Sequence, residues 1–403
     1  AYAIAAKARR SHGSHRRTKN LRRADLSALT RINWPRWLVF DRAPTEPTSR
    51  HRAQPLIKIK RPVQIQAQTQ GQPRAVILIG EKMRIATFNI ESLDLPVESR
   101  TAVLRPALDR LQADVVCLQE INGQKTSGQP GRSLIALDQL LEGTRYATYH
   151  RAETTSPERA TAASVHNLVT LSRFPILGNK QVWHDLVPPA QVHLQTTLSD
   201  SDNIAQTRFD RPVLVTEVDA GGHPLTVVNV HLRAPTATSV PGQKLSPFRW
   251  RSIAAWAEGY YVSGLKRTGQ ALELRMLVDA LFDHDAQARI VVAGDFNAQD
   301  HETPLRIVIG APEDTGNSEL AARALVVLDR AAPPARRFSV LHHGRPQMLD
   351  HILASHSIYG QFREISIHNE ALGDEAVGYA MSLDSIGSYH AAVVATFDDD
   401  CFD

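Results

Sequence analysis

Several runs of apolar, β-branched residues end in side chains that could act as acids, bases or cation ligands. Asn89 ends one such run and Glu120 ends the next, while Asp295 and Asn297 follow residues 290–294. Asp295 and Asn297 are two residues apart, so on an extended backbone an acid and an amide would emerge from the same face. Binding and catalytic residues collect at the ends of buried strands and in the loops beside them. The pattern therefore predicts a polar site where neighbouring strands end.

Histidines add candidates for acid–base chemistry. Asn229 and His231 show the same two-residue spacing at the end of another apolar run. Asp350 lies in a Leu-Asp-His-Ile segment, and His390 directly precedes the last apolar run. An aspartate that orients a histidine is a recurrent catalytic pair. A single strand-end Asn or His is more often a turn or structural residue, so the hypothesis depends on all of these residues together.

The elements that must position these side chains begin at Met83. Several runs, such as residues 115–118 and 290–293, are apolar at consecutive positions, which is typical of strands covered on both faces. Amphipathic spacing predicts one helix within residues 103–111 and another over residues 247–283. We expect one layered α/β domain over residues 83–403, with strands at residues 84–89, 114–119, 167–171, 213–218, 225–232, 289–294, 348–354 and 391–397.

Charge is unevenly distributed along the chain. Residues 1–82 hold 18 of the 46 Lys and Arg residues but 4 of the 42 Asp and Glu residues, a net charge of +14. Residues 83–403 therefore carry 28 basic and 38 acidic residues, a net charge of −10. We expect residues 1–82 to be a disordered basic leader and translation of the natural protein to begin at Met83. Any site for a polyanion on the remaining domain must be local.

The cellular setting is inferred from what the sequence lacks. Cys117 and Cys401 form neither a disulfide framework nor a zinc motif, so we expect two free thiols in a reducing compartment. No apolar run approaches the ~20 residues that a membrane span requires. No segment has the pattern of a secretory signal. We expect a soluble, cytoplasmic protein.

The order of these motifs resembles that of the endonuclease/exonuclease/phosphatase superfamily, to which the DNase I-like nucleases belong. The most specific pieces are Leu118-Gln-Glu120 and Gly294-Asp-Phe-Asn-Ala298. Residues 167–176 resemble the middle strand of the family and its Ser-Arg-x-Pro turn. The resemblance covers essentially all of residues 83–403. It implies an α/β (α+β) four-layer sandwich, in which two packed, mixed, mostly antiparallel sheets are flanked by helices and the site lies at one edge.

The resemblance also implies roles for individual residues. Glu120 and Asn89 would hold Mg²⁺, or Mn²⁺, through oxygen ligands. Asp295 would position and deprotonate the attacking water, and Asn297 would fix its orientation. The remaining roles concern the phosphate: His390, oriented by Asp350, would stabilise developing charge, and His231 would assist the leaving oxygen or bind phosphate beside Asn229. The expected activity is hydrolysis of phosphodiester bonds in nucleic acid or another phosphoester, with a nuclease as the leading interpretation. No membrane or protein partner is inferred.

The chain departs from the family pattern in three places. One is His351, which follows Asp350 where Tyr is more usual and which we interpret as a packing residue or one that acts through its neighbours. Tyr389 precedes the last histidine where most relatives carry Asp, and Asp384 is a weak candidate to replace that carboxylate. Residues 241–267 extend the loop after His231, and Arg249 and Lys266 there are candidate substrate contacts. Helical spacing predicts that three apolar residues of this segment pack against the sandwich, namely Ile253, Trp256 and Tyr260.

Two alternative functions remain open from the sequence. A phosphomonoesterase acting on inositol phosphates is one, although the residue after Asn297 is not the Arg that such enzymes usually carry. A catalytically silent binding domain is the other, motivated by Tyr389 and by the acidic domain.

Overall fold

The structure, a computed structural model, describes residues 82–128, 130–156, 159–199, 203–381 and 386–398. The predicted leader, except for Lys82, lies outside the described residues, and so do Asp384 and Cys401. Within the described part, none of the helices combines the length and the apolarity that a bilayer-spanning helix requires.

Two six-stranded sheets form the centre of the fold, and the described residues also contain four short two-stranded hairpins. In chain order the strands are β1 Lys82–Leu93, β2 Val115–Ile121, β3 Gln124–Lys125, β4 Arg132–Ser133, β5 His150–Glu153, β6 Asn167–Ser172, β7 Ile176–Val182, β8 Gln191–His193, β9 Ile204–Gln206, β10 Val213–Ala220, β11 His223–His231, β12 Lys244–Ser246, β13 Arg249–Trp250, β14 Ile290–Asp295, β15 Val326–Val327, β16 Val340–His342, β17 Arg345–Gln347, β18 Asp350–Ala354, β19 Phe362–Ile367 and β20 Val393–Asp398.

Each large sheet contains one parallel pair in an otherwise antiparallel arrangement. The first sheet has the order β19-β20-β1-β2-β6-β5, and β1 runs parallel to β2. The second has the order β15-β18-β14-β11-β10-β7, and β11 runs parallel to β14. The predicted fold class is confirmed: the architecture is a four-layer sandwich of two mixed sheets with helices outside. Four of the predicted site residues lie near the carboxyl ends of the parallel strands β1, β2, β11 and β14. They are Asn89, Glu120, His231 and Asp295.

The main core lies between the sheets. Because side chains alternate across a strand, Ile85 of β1 and Cys117 of β2 face the second sheet, where they meet residues such as Val227 and Val291. Ala86 and Phe88 face the opposite way and pack against the first helices. Burial on both faces explains the consecutive apolar residues of these strands.

Seven α-helices occur in the described residues. They are α1 Glu98–Leu111, α2 Ile135–Leu141, α3 Ile253–His284, α4 Thr303–Ile309, α5 Pro312–Thr315, α6 His356–Tyr359 and α7 Glu375–Ala380. Both predicted helices exist as α1 and α3. The predicted packing of three apolar residues on α3 is wrong, because Ile253, Trp256 and Tyr260 are 83%, 44% and 42% exposed. The helix instead buries Ala255, Gly259 and Val262.

Candidate active site

The site lies where the parallel pair of one sheet meets the parallel pair of the other. Asn89 and Gln119 are register partners in the first sheet, and His231 and Asp295 are partners in the second. Across the gap, Asn89 Nδ2 donates to Asp295 Oδ2 over 3.0 Å. Strand ends that lie 206 residues apart in the chain therefore join in one polar cluster.

Asp295 accepts three hydrogen bonds within this cluster and is 1% exposed. Its Oδ2 accepts from Asn89 Nδ2 and, over 3.1 Å, from Asn297 Nδ2, while its Oδ1 accepts from the Asn297 backbone N–H over 2.8 Å. Asn297 reaches Asp295 through a turn with φ 47°, and not through the strand alternation expected from the sequence. Burial raises the pKa of Asp295, and the charge of Asp350, its register partner on β18, raises it further. Asp295 is thus an acid with unusual affinity for a proton.

His390 forms an ion pair with Asp350, whose side chain is completely buried. The distance from His390 Nδ1 to Asp350 Oδ2 is 2.8 Å. Burial alone would lower the pKa of His390, but the carboxylates of Asp350 and Asp295 raise it to about 10. The imidazole is therefore a cation at neutral pH. Asp350 Oδ1 is buried and has no hydrogen-bond partner among the described residues.

Glu120 completes the acidic side of the cluster. Its Oε2 accepts from the backbone N–H of Ser92 over 2.9 Å, and its Oε1 lies 3.4 Å from Asn89 Nδ2. Burial would raise the pKa of Glu120, but the charges of His166, His390 and Arg211 lower it, so the side chain is a carboxylate at neutral pH. Its backbone is in the left-handed region, with φ 63°, which is unusual for a residue other than glycine.

The donor set suits a divalent cation. One ligand atom from each of Asp295, Asp350 and His390 lies within 4.8 Å of the others. Because the imidazolium of His390 cannot be a ligand, the donor set consists of the carboxylates of Asp295, Asp350 and Glu120, the last of which accepts from the same Asn89 amide as Asp295. Carboxylate oxygens are the ligands that Mg²⁺ and Mn²⁺ prefer, and the unpaired Asp350 Oδ1 offers another. Asn89 is oriented differently from the prediction, because its Oδ1 accepts from the Glu91 N–H over 2.9 Å. Asn89 would bind a cation through oxygen only after its amide rotates.

His231 is a neutral histidine in this arrangement. Its Nε2 lies 3.4 Å from Asp295 Oδ2, and Arg211 Nη1 lies 2.9 Å from the same nitrogen. Burial and the charge of Arg211 hold the pKa of His231 well below its usual value. A neutral imidazole can donate one hydrogen bond to a leaving oxygen but is a poor proton source at neutral pH.

Two members of the cluster were not foreseen from the sequence. Arg211 is 8% exposed, contacts His231, and has no carboxylate within ion-pair distance in the described part of the chain. His166 has φ 58°, and its Nδ1 lies 3.8 Å from Glu120 Oε2. His166 directly precedes β6, and Arg211 closely precedes β10. The predicted motifs consist of polar residues at the ends of strands and so do not include them. A charged or imidazole side chain before an apolar run was the signal that could have found them.

The structure does not bring the predicted substrate contacts together. Asn229 is completely buried: its Oδ1 accepts from Gln119 Nε2 over 2.8 Å, and its Nδ2 donates to the backbone oxygens of Leu118 and Val169. The expectation that Asn229 contacts phosphate is therefore corrected, since its amide links the two sheets.

The two basic residues of the long loop that were predicted to contact substrate, Arg249 and Lys266, lie at different places in the structure. Arg249 is exposed on β13. Lys266 on α3 lies 3.8 Å from Asp210, the residue before Arg211, so it is near the cluster without contacting it. Its neighbour Arg267 donates to the backbone oxygen of Asn297 over 2.6 Å and thereby anchors α3 at the site.

Tyr389 stands where the resemblance implies an Asp. In the structure the carboxylate of Glu91 lies beside Tyr389 instead. Glu91 Oε2 accepts from the Tyr389 backbone N–H over 3.0 Å, and Glu91 Oε1 accepts from the Tyr379 hydroxyl over 2.6 Å. The Tyr389 ring points away towards Gly378, where an added Cβ would lie 1.8 Å from its hydroxyl. Glu91 therefore takes part in the hydrogen bonding next to His390, a role not foreseen from the sequence.

Comparison with known proteins gives structural relatives of low sequence identity. An AP endonuclease from Archaeoglobus fulgidus is 15% identical, with a TM-score of 0.43, over 78% of this chain and 99% of that chain. A truncated TDP2 from Caenorhabditis elegans is 14% identical, with a TM-score of 0.46, over 79% of this chain and 98% of that chain. The 3′ phosphatase NExo from Neisseria, solved with a product DNA hairpin, is 16% identical, with a TM-score of 0.43, over 78% and 99%.

Two comparisons of the sequence gave different results. None of the curated proteins compared with the chain matches it. A model of the endonuclease/exonuclease/phosphatase family matches residues 86–390. This match spans the cluster from Asn89 to His390.

Proposed function

Because the chain belongs to the endonuclease/exonuclease/phosphatase family, we propose that it is a divalent-metal-dependent phosphodiesterase that cleaves nucleic acid by attack of an activated water. The observation that supports this proposal most strongly is the meeting of three groups in one cluster. Asp295 is an acid with a raised pKa, His390 is an imidazolium, and Glu120 is a carboxylate.

Asp295 is the proposed general base. Its raised pKa brings its affinity for a proton closer to neutral pH, where a general base is most effective. Asn297 holds both carboxylate oxygens by hydrogen bonds, so the group presents a fixed direction to the attacking water. No covalent nucleophile is needed for this reaction.

His390 is the proposed stabiliser of negative charge on the phosphate oxygens. Its positive charge and its fixed orientation come from the 2.8 Å contact with Asp350. A preorganised cation in a pocket with little water interacts strongly with charge that develops in the transition state. His231, which is neutral, and Arg211, which is charged, would contact the same phosphate from the second sheet.

Glu120 would hold the cation, with Asn89 as a second ligand after rotation of its amide. A bound Mg²⁺ or Mn²⁺ would supply charge neutralisation of the phosphate.

The proposal is tested with the full chain on the diesters plasmid DNA, RNA and bis(p-nitrophenyl) phosphate and on the monoester p-nitrophenyl phosphate. Turnover is measured with Mg²⁺, with Mn²⁺ and with excess chelator. We expect cleavage of the diesters that depends on the cation and disappears in chelator. Turnover that persists in chelator would contradict the metal dependence, and release of phosphate from monoesters alone would replace the proposal with the phosphomonoesterase alternative.

A further inference from the structure

A cavity of about 450 Å³ opens beside the candidate active site. Its lining includes His166 and Arg211, the two members of the cluster that the sequence did not reveal. His166 approaches Glu120 and Arg211 contacts His231, so the cavity is continuous with the site. The volume lies in the range of ligand-binding pockets. We call this space the basic cavity.

The charge of the basic cavity is opposite to that of the domain around it. Four Lys and Arg residues line it, namely Lys125, Arg132, Arg159 and Arg211. The one acid among the described lining residues, Asp210, is paired with Arg233 over 2.6 Å and lies 3.8 Å from Lys266. Residues 83–403 carry a net charge of −10, so this concentration of cations is a local feature. Such a feature is what an acidic domain needs in order to bind a polyanion.

Two of these cations face each other across a short hairpin. Lys125 of β3 and Arg132 of β4 are direct register partners in an antiparallel pair. Like charges in that position destabilise a hairpin. In the described part of the chain Lys125 has no acidic partner within ion-pair distance, and Arg132 Nη1 donates to the backbone oxygen of Gly123 over 2.7 Å. An anion bound in the basic cavity would remove this repulsion.

The wall that carries these cations is preformed. Gly123 donates its N–H to the backbone oxygen of Ser164 over 3.2 Å, and a Cβ at Gly123 would lie 2.3 Å from the Ala163 oxygen. Asn167 ties the same loop to β2 through its bond to the Ile121 oxygen over 2.8 Å. A cavity that is already organised needs less ordering when its ligand binds.

We propose that the basic cavity binds the phosphate next to the scissile phosphate of a nucleic acid strand. This assignment rests on the proposed function and adds a second phosphate contact to it. Arg211 lies between the two positions, with His231 on one side and the cavity on the other. An isolated diester such as bis(p-nitrophenyl) phosphate would occupy the active site and leave the basic cavity empty.

The test compares the parent chain with the double variant Lys125→Gln/Arg159→Gln. Arg363→Gln on β19, an edge strand of the first sheet that does not line the cavity, is the control. For a short single-stranded oligodeoxynucleotide we expect KM to rise at least ~10-fold, since a charge-assisted hydrogen bond contributes about that much, with kcat unchanged. The kinetics on bis(p-nitrophenyl) phosphate should not change. Fluorescence anisotropy of the labelled oligonucleotide in chelator should show the same loss of affinity without turnover.

The outcomes separate this proposal from the proposed function. An equal loss on both substrates, or no change on the oligonucleotide, would overturn the phosphate assignment while the phosphodiesterase stands. Absence of turnover in the parent chain would overturn the proposed function. In that case the anisotropy measurement still decides whether the basic cavity binds a strand.

Discussion

His390 illustrates how one neighbour sets the chemistry of a buried group. Burial favours the neutral form of an imidazole, yet the carboxylates of Asp350 and Asp295 raise the pKa of His390 to about 10. Asp350 also fixes the ring through Nδ1, which leaves Nε2 free to contact a substrate. Charge and orientation thus come from the same 2.8 Å contact.

The pH dependence of turnover tests this interpretation. The variant Asp350→Asn removes the carboxylate that raises the pKa of His390 most strongly, so the imidazolium should lose its proton at a lower pH than in the parent. We expect kcat to fall on the alkaline side, with its midpoint shifted to lower pH in the variant. The measurement is a pH–rate profile for each protein. Asp219→Asn, at the far end of β10, serves as the control.

An alkaline limb at the same pH in Asp350→Asn and in the parent would contradict the role of Asp350. A lower kcat with an unshifted midpoint would also contradict it, since that result indicates a structural effect alone.

At the scale of elements, the close contact of β11 and β14 determines where Asp295 lies. Gly294 pairs with Val230 and has φ 155°, and a Cβ at this position would lie 1.9 Å from the Val230 backbone oxygen. The Gly-Asp-x-Asn motif therefore has a physical basis: glycine permits the approach that brings Asp295 beside His231.

The variant Gly294→Ala should lose both stability and activity. The added methyl group meets a backbone oxygen, which cannot move without displacing β11. We expect a loss of about 1–3 kcal/mol in the free energy of unfolding, as for other overpacked sites, measured by urea denaturation. Gly264→Ala on α3, where the added Cβ meets no atom within 4 Å, is the matched control. Equal stability of the two variants would exclude this explanation.

A buried ion pair stabilises the loop that follows β14. His351 of β18 is completely buried, with Nδ1 2.7 Å from Asp329 Oδ2 and Nε2 2.9 Å from the Ala298 oxygen. Two acceptors on one ring require a protonated imidazole. Burial lowers the pKa of His351, but the charge of Asp329 raises it above 6.5. The expectation that His351 is a structural residue or acts through its neighbours agrees with this geometry.

Removal of the imidazole should destabilise the fold in a pH-dependent manner. Since the folded pKa of His351 is raised, its contribution is fully present below pH 6.5 and is lost as the pH rises through the folded value. We expect His351→Gln to lower the free energy of unfolding by ~3–5 kcal/mol at pH 6, and by less at alkaline pH. Urea denaturation at both pH values measures this, with the exposed His301→Gln as control. A difference that does not depend on pH would contradict the protonated state.

Local sequence patterns predicted the strands that carry the site because those strands are buried on both faces. Edge strands were missed: β7, for example, is mostly half-exposed and contains the polar run Asn179-Lys180-Gln181, so its periodicity is weak. Arg211 and His166 were missed because they precede their strands, whereas the predicted motifs consist of polar residues that follow strands. Trp256 and Tyr260 share a helical face, as predicted, but spacing alone does not reveal whether that face meets protein or solvent.

At the scale of the whole molecule, the site exists only when both sheets are packed together. Asn89 and Glu120 come from the first sheet, while Asp295, Asp350 and His231 come from the second. A domain with a net charge of −10 nevertheless concentrates cations at this junction, where His390, Arg211 and the basic cavity are the proposed contacts of phosphate. Function therefore depends on the global arrangement of charge and not on the overall pI.

The central claim is that Asp295 activates water for attack on a phosphodiester, and the variant Asp295→Asn tests it most directly. The side chain keeps its shape but loses its basicity. We predict that Mg²⁺-dependent turnover of bis(p-nitrophenyl) phosphate falls at least ~100-fold, the usual contribution of a general base, while urea denaturation still shows a folded protein. Turnover equal to that of the parent would contradict the account.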